Sequence, residues 1–324
     1  MRFPYGKTFA FTILDDTDDA TVGNVKPVYD CLKENGFVTT KTVWPLDCPE
    51  GSRHFFAAET LHDKAYLAFV HDLVDDGFEL ALHGATMESS LRERTIRGLE
   101  FLKMEFGDYP RLFCNHGYNR ENLYWGDKRF RTPALRALIR FIQRDVQGRY
   151  EGETEHSPYF WGDLCRRHIT YVRNFTYSAL NMLDVNPEMP YRLSDTTFVN
   201  YWFSTSDAPD VHAFNQILDP ARIDKLERDG GICIVSTHLG KGFVKHNKLN
   251  EETAAILRYI GAKSGWFAPV SEILDYLLKQ RGSDVVLSGR QRVVLESRFL
   301  LDQLAQRLSK VSVRSPYSLA WWHS

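Results

Sequence analysis

Short apolar runs alternate with amphipathic stretches along most of the chain. Thr8–Leu14 (TFAFTIL) is rich in β-branched and aromatic residues and predicts a buried strand. Asn24–Asn35 predicts a helix, ended by Gly36 where a left-handed residue is needed. Val38–Val43 predicts a second strand, cut off by Trp44-Pro45. Glu59–Asp76 predicts a helix with Leu61, Ala65, Ala68, Phe69 and Leu73 on one face; Glu79–Leu82 a short strand; Ser89–Phe106 a helix; Arg111–Cys114 a strand; and Pro133–Arg144 a helix. The middle is less regular. Gln147–Asp163 carries Gly148, Gly152, Pro158 and Gly162 and predicts loop or insertion, followed by strands at His168–Phe175 and Phe198–Ser204. Ala221–Arg228 predicts a helix stopped by Gly230-Gly231, and Ile232–Ser236 is the clearest buried strand after the first. Helices follow over Glu251–Lys263, Val270–Gln280 and Arg292–Lys310, with a last strand at Val285–Leu287. Strand–helix units repeated over about 250 residues predict an α/β protein with a parallel sheet, open or closed into a barrel. In either form, reacting residues belong at the carboxyl ends of the strands.

Composition narrows the partners. The chain has 324 residues, 40 basic and 42 acidic side chains and a net charge of -2. That balance gives no electrostatic reason to expect nucleic acid or an anionic membrane. Apolar runs such as Ile232–Val235 are too short to span a bilayer. The N-terminus, MRFPYGKTFAF, turns polar at Gly6 and Lys7, so no signal peptide is expected and a cytoplasmic location follows. Cys31, Cys48, Cys114, Cys165 and Cys233 are odd in number, widely spaced and without a CxxC, which predicts reduced thiols. No linker divides the chain. Residues 1–290 are expected to form one barrel with an insertion around 145–200, and 291–324 a helical extension.

The strand ends carry the chemistry. Asp15-Asp16-Thr17-Asp18-Asp19 follows the first strand. So many carboxylates beside an apolar strand are costly unless solvated, paired or bound to a cation. As a bland alternative, the loop caps a helix. His83 follows the Glu79–Leu82 strand, His116 the Arg111–Cys114 strand, and His238 the Ile232–Ser236 strand. If these strands are parallel neighbours, all four groups converge on one face. Asp with two or three His is a metal-site composition. A bound Zn²⁺ lowers the pKa of its water from about 15.7 to about 7, which permits metal-assisted hydrolysis. A carboxylate outside the ligand set can then take a proton, and a free His can give one to a leaving group.

These stretches resemble the polysaccharide deacetylases, metal-dependent carbohydrate esterases with a distorted (β/α) barrel. Thr12-Ile13-Leu14-Asp15-Asp16 is similar to the family's opening strand and paired Asp; Gly77-Phe78-Glu79-Leu80-Ala81-Leu82-His83 to its second motif; Gly231–His238 to its late strand ending in His; and Trp266–Leu274 to its closing segment. The resemblance implies Asp15 as general base, Asp16 and His83 as metal ligands and His238 as general acid. Where the family places a second ligating His four residues after the first, this chain has Met87. His116 is expected to supply the missing nitrogen. Asn115, Tyr118 and Trp125 are the expected substrate contacts, Zn²⁺ the expected ion, and a saccharide or other small acylated molecule the expected partner. The aromatic tail (Tyr317, Trp321, Trp322) offers a surface for a homo-oligomer.

Other readings compete. Asp16-Thr17-Asp18 is similar to the Asp-x-Asp nucleophile of haloacid-dehalogenase phosphatases, but Ala20 stands where they carry Thr. A two-His, one-carboxylate set also suits an Fe(II) oxygenase, which the helix-rich pattern opposes. Met87 suggests a non-catalytic carbohydrate-binding protein on the same scaffold. Arg129 and Arg131 are candidate binders of a substrate carboxylate or phosphate, against the commoner reading of solvated surface.

Overall fold

β1 (Phe9–Asp15) is buried along its whole length and is the seam of the fold. Strands covered on both faces read as continuous apolar runs, which is why FAFTIL shows no alternation. On one side β1 pairs in parallel with β7 (Ile232–Thr237) from Ala10 to Asp15. On the other, its first half pairs with β10 (Gly265–Phe267) and its end with β2 (Thr40–Val43). The parallel order continues through β3 (Glu79–Leu82), β4 (Leu112–Phe113), β5 (Tyr171–Tyr177) and β6 (Tyr201–Asp207) to β7, whose pairing with β1 closes a seven-stranded barrel. The computed structural model describes residues 2–52, 54, 58–142 and 149–312.

Helices α1 (Val22–Glu34), α2 (Lys64–Asp75), α3 (Arg92–Phe106), α4 (Pro133–Ile142), α5 (Gly162–His168), α6 (Met182–Val185), α7 (Val211–Ile217), α8 (Pro220–Asp229), α9 (Glu251–Gly261), α10 (Val270–Arg281) and α11 (Gly289–Ser312) occupy the connections and the C-terminal end. The expected parallel α/β barrel is what forms. Two local readings change. A helix, α5, begins at Gly162, inside the stretch expected to be loop. Its N-terminus is anchored by fully buried Trp161, whose Nε1 donates to the Glu121 carbonyl at 2.7 Å. Val285–Leu287 makes no strand; Val286 has a single parallel bridge to Arg192. α11 lies against β5, with Phe299 stacked on Phe175 at 4.5 Å between centroids. Its Glu296 accepts the backbone N–H groups of Arg131 and Thr132. The aromatic tail, residues 317–322, lies outside the described residues.

The pleat of β1 decides where the acidic loop points. Successive side chains face opposite sides. Asp15 faces the helix layer. Its Oδ2 accepts from Lys41 Nζ and from Tyr29 Oη of α1, each at 2.8 Å, and its Oδ1 accepts the Leu239 backbone N–H at 2.9 Å. Neither Asp15 nor Lys41 has any exposed side-chain surface. Burial disfavours the Lys41 ammonium, but Asp15 outweighs it and holds its pKa above the ordinary value. Asp16 continues the ladder, its N–H donating to the Thr237 carbonyl at 2.7 Å. Thr17 turns outward again, onto Thr42 and Tyr66. Asp16 and Asp18 are left facing the barrel mouth.

Removing one member of a buried pair strands the other. Lys41→Met is expected to lower unfolding free energy by about 3–5 kcal/mol, and Asp15→Asn with Lys41→Met to regain part of it. Urea unfolding followed by circular dichroism checks this; a loss under about 1 kcal/mol would show the pair to be dispensable.

Candidate metal centre

The carboxyl ends of β1, β3, β4, β5 and β7 open onto one cavity of about 340 Å³, within the range of small-molecule sites. Asp16, Asp18, His83, His116, Arg173, Ser236 and His238 line it. Asp15 does not, because the pleat turns it into the ion pair with Lys41. The structure thus brings together four of the expected residues, Asp16, His83, His116 and His238, and leaves Asp15 behind.

Asp18 is the hub. Its Oδ1 stands 3.4 Å from both His83 Nε2 and His116 Nε2, is buried and has no hydrogen-bond partner. Its Oδ2 lies 3.2 Å from His238 Nε2 and 3.4 Å from Lys241 Nζ. One donor atom each from Asp18, His83 and His116 falls within 4.8 Å of the others, a group able to hold a metal ion. Ligand atoms about 2.0–2.1 Å from a tetrahedral Zn²⁺ lie roughly 3.3–3.4 Å apart, so the Asp18–imidazole spacings fit an ion between them. The orphaned Asp18 oxygen is what such an ion would satisfy.

Asp18, rather than the expected Asp16, is the carboxylate that groups with His83 and His116 at ligand spacing. Asp16 approaches His83 only at Nδ1, at 3.8 Å, and that nitrogen faces the Cys114 carbonyl at 3.1 Å. The carbonyl contact orients His83 with Nε2 toward Asp18, as outer contacts commonly orient ligating imidazoles. Trp44, fully buried at the end of β2, packs against both rings, at 6.1 Å from His83 and 5.5 Å from His116. Gly84 follows His83 at φ +112°, a conformation that side chains other than glycine's rarely adopt. Met87 is absent from the cavity lining, and His116 occupies the place beside His83.

Asp16 is held differently. Its Oδ2 accepts from Arg173 Nη1 at 2.6 Å and from Ser236 Oγ at 3.2 Å, while its Oδ1 is buried without a partner. Burial raises its pKa, but Arg173, His83 and His238 together outweigh this and hold it below the usual value. For Asp18 burial is likewise overcome, by His116, His238 and His83, and the carboxyl stays well below its usual range. Burial pushes His116 down to about 4, with Asp18 opposing only in part, so the imidazole is neutral near pH 7, as a ligand must be. His238 goes the other way. Burial disfavours its charge, but Asp18 outweighs that and raises its pKa above the ordinary value. Its Nδ1 faces the Pro209 carbonyl at 2.8 Å, which leaves Nε2 toward the cavity. Close passage of the following turn depends on Gly240, where a Cβ would stand 2.6 Å from the Asp19 backbone.

Asn115, Tyr118 and Trp125 all line the cavity. Asn115, however, spends both ends of its amide on the Leu123 backbone, at 2.8 and 3.2 Å, closing the loop that carries His116. Two residues escaped sequence reasoning. Asp18 was legible from period-two alternation carried past the strand. Arg173 was legible as the one charged residue in the strand sequence Tyr171–Tyr177 (YVRNFTY).

The donor geometry generates a direct test. Equilibrium dialysis against Zn²⁺ with elemental analysis is expected to give about one ion per chain. Asp18→Asn or His116→Ala should lower occupancy at least about 10-fold, whereas Asp16→Asn should retain it. Full occupancy in the Asp18 variant would exclude the centre.

No family model matches the chain, and no curated protein matches it significantly. Solved structures do. A Mycobacterium smegmatis protein assigned as a polysaccharide deacetylase aligns over 89% of this chain and 96% of its own, with TM-score 0.51 and 17% identity. A second, so assigned from Pseudomonas aeruginosa PAO1, aligns over 87% and 95%, with TM-score 0.50 and 12% identity. The chain has the distorted (β/α) barrel fold of the polysaccharide deacetylases.

Proposed function

We propose that the protein is a metal-dependent hydrolase, deacetylase-like, that removes an acyl group from an N- or O-acetylated sugar or related small molecule. The observation that carries this reading is the orphaned Asp18 Oδ1, set 3.4 Å from two imidazole nitrogens at the mouth of a deacetylase-type barrel. Asp18, His83 and His116 would hold the ion, and Zn²⁺ suits two imidazoles and a carboxylate. Bound there, it would supply an acidified water and a Lewis acid for the acyl oxygen.

The remaining roles fall to side chains outside the ligand set. Asp16 Oδ1 is an acceptor without a partner, on a carboxylate that Arg173, His83 and His238 keep ionised. It is the base that takes a proton from the attacking water. His238, whose charge Asp18 favours and whose Nδ1 is fixed by Pro209, donates from Nε2 to the leaving nitrogen or oxygen. This reading moves the base role expected for Asp15 to Asp16 and the carboxylate-ligand role to Asp18. Against the non-catalytic reading, which rests on Met87, His116 lies beside His83 on the cavity, 4.9 Å between ring centroids.

Acetate release from a panel of N- and O-acetylated sugars tests the proposal. Activity should disappear with chelator and return with Zn²⁺. Asp16→Asn and His238→Ala should each lower kcat about 10²–10⁴-fold while the ion stays bound. No release from any acetylated sugar by the loaded protein would overturn the reading.

A further inference from the structure

Among the described residues, Arg129 has no counter-ion of the kind its neighbours have. It ends the short turn Gly126–Arg129, beyond the His116 loop, and lines the same cavity as Asp18 and His238. Arg131 pairs with Asp195, Arg136 and Arg140 with Asp127, and Arg173 with Asp16. Among the described residues, no carboxylate pairs with Arg129. Aromatic rings surround it instead: Trp125 at 4.1 Å, Phe299 at 4.8 Å and Phe175 at 5.1 Å. Its Nε donates to Asn174 Oδ1 and its Nη2 to the Asn174 carbonyl, and Nη1 has no protein partner among the described residues.

That arrangement is expensive to keep. Burial lowers the guanidinium pKa to about 9, and the Arg173 charge pushes the same way. Ring faces recover part of the lost hydration, and the two Asn174 contacts fix the plane of the group. A fixed, poorly hydrated guanidinium with one donor turned to a cavity is a receptor for a planar anion. Arg173, on the same cavity wall, is already matched by Asp16, and Arg307 also lines the cavity; Arg129 itself stands among the apolar faces of Trp125, Phe130 and Phe299, where a planar carboxylate fits its guanidinium.

We propose that Arg129 binds a carboxylate of the substrate, so the molecule deacylated in this cavity is an acidic amino sugar, of the uronic-acid or carboxyalkyl-ether kind. The proposal rests on the hydrolase reading of the same cavity for the word deacylated; the carboxylate site stands on Arg129 alone.

Calorimetric titration of the metal-free protein tests it with N-acetylglucosamine, N-acetylglucosaminuronic acid, N-acetylmuramic acid and N-acetylglucosamine 1-phosphate. At least one of the two carboxylates should bind about 10-fold or more tightly than the neutral sugar, the range expected for a hydrogen bond to a charged group. Arg129→Met should bring that ratio to about one. Should this variant fail to fold by circular dichroism, Arg129→Lys, which keeps the charge but loses the planar fork, should reduce the ratio several-fold. No carboxylate preference, a preference surviving these variants, or tighter binding of the phosphate would overturn the proposal. The two readings separate cleanly. Carboxylate preference without acetate release by the zinc-loaded protein would sink the hydrolase and leave the Arg129 site. Acetate release without carboxylate preference would do the reverse.

Discussion

The buried pair between Asp15 and Lys41 fixes everything that follows it along the chain. Asp15 ties β1 to β2 through Lys41, to α1 through Tyr29 and to the turn after β7 through the Leu239 N–H. Two charges without exposed surface are tolerable only when each is fully matched, and a one-residue slip of β1 would put Asp16 in that place and expose Asp15 to the barrel mouth. The pair therefore works as a register pin. With 15 and 17 turned to the helices, 16 and 18 must face inward, and the Leu239 contact sets His238 opposite them.

Inside the mouth, two inward carboxylates need unlike environments if they are to do unlike work. Asp16 sits against Arg173 and Ser236, while Asp18 sits among three imidazoles and Lys241. Both remain ionised in spite of burial. The difference lies in what each free oxygen faces. Asp18 Oδ1 sits between two imidazole nitrogens, of which His83 Nε2 carries no proton when that ring is neutral because its Nδ1 donates to Cys114, an arrangement that a cation relieves. Asp16 Oδ1 has no such neighbours at ligand distance through a free ring nitrogen, since His83 Nδ1 faces Cys114.

Much of this was written in the sequence, and the exceptions have identifiable causes. Apolar runs located β1, β3 and β7 to within a residue, because buried parallel strands tolerate little else. Three His and the acidic loop marked the mouth correctly, because parallel strands all deliver their carboxyl ends to one side. Assigning roles along Asp15-Asp16 by motif failed to locate the hub, because a motif fixes order but not the face on which a strand ends. Arg173 was hidden by distance: its partner lies 157 positions away, and only barrel closure brings them together. The helix at Gly162–His168 was masked by glycines that serve close packing, since a Cβ on Gly162 would stand 2.6 Å from the Phe198 ring.

Having His116, rather than a residue four positions past His83, beside the His83 ring has a mechanical consequence. His116 rides on a loop that is clamped from within: Asn122 accepts the His116 N–H and donates to the carbonyls of His116 and Gly117, while Asn115 holds Leu123. Trp125 and the turn bearing Arg129 continue from the same loop, and Glu296 of α11 holds its far end through Arg131 and Thr132. The imidazole proposed as a ligand, the aromatic wall and the Arg129 guanidinium are thus parts of one braced segment. Displacing any of them shifts the others, so on the proposed reading the wall that meets a substrate and the imidazole that meets an ion are set by the same hydrogen bonds.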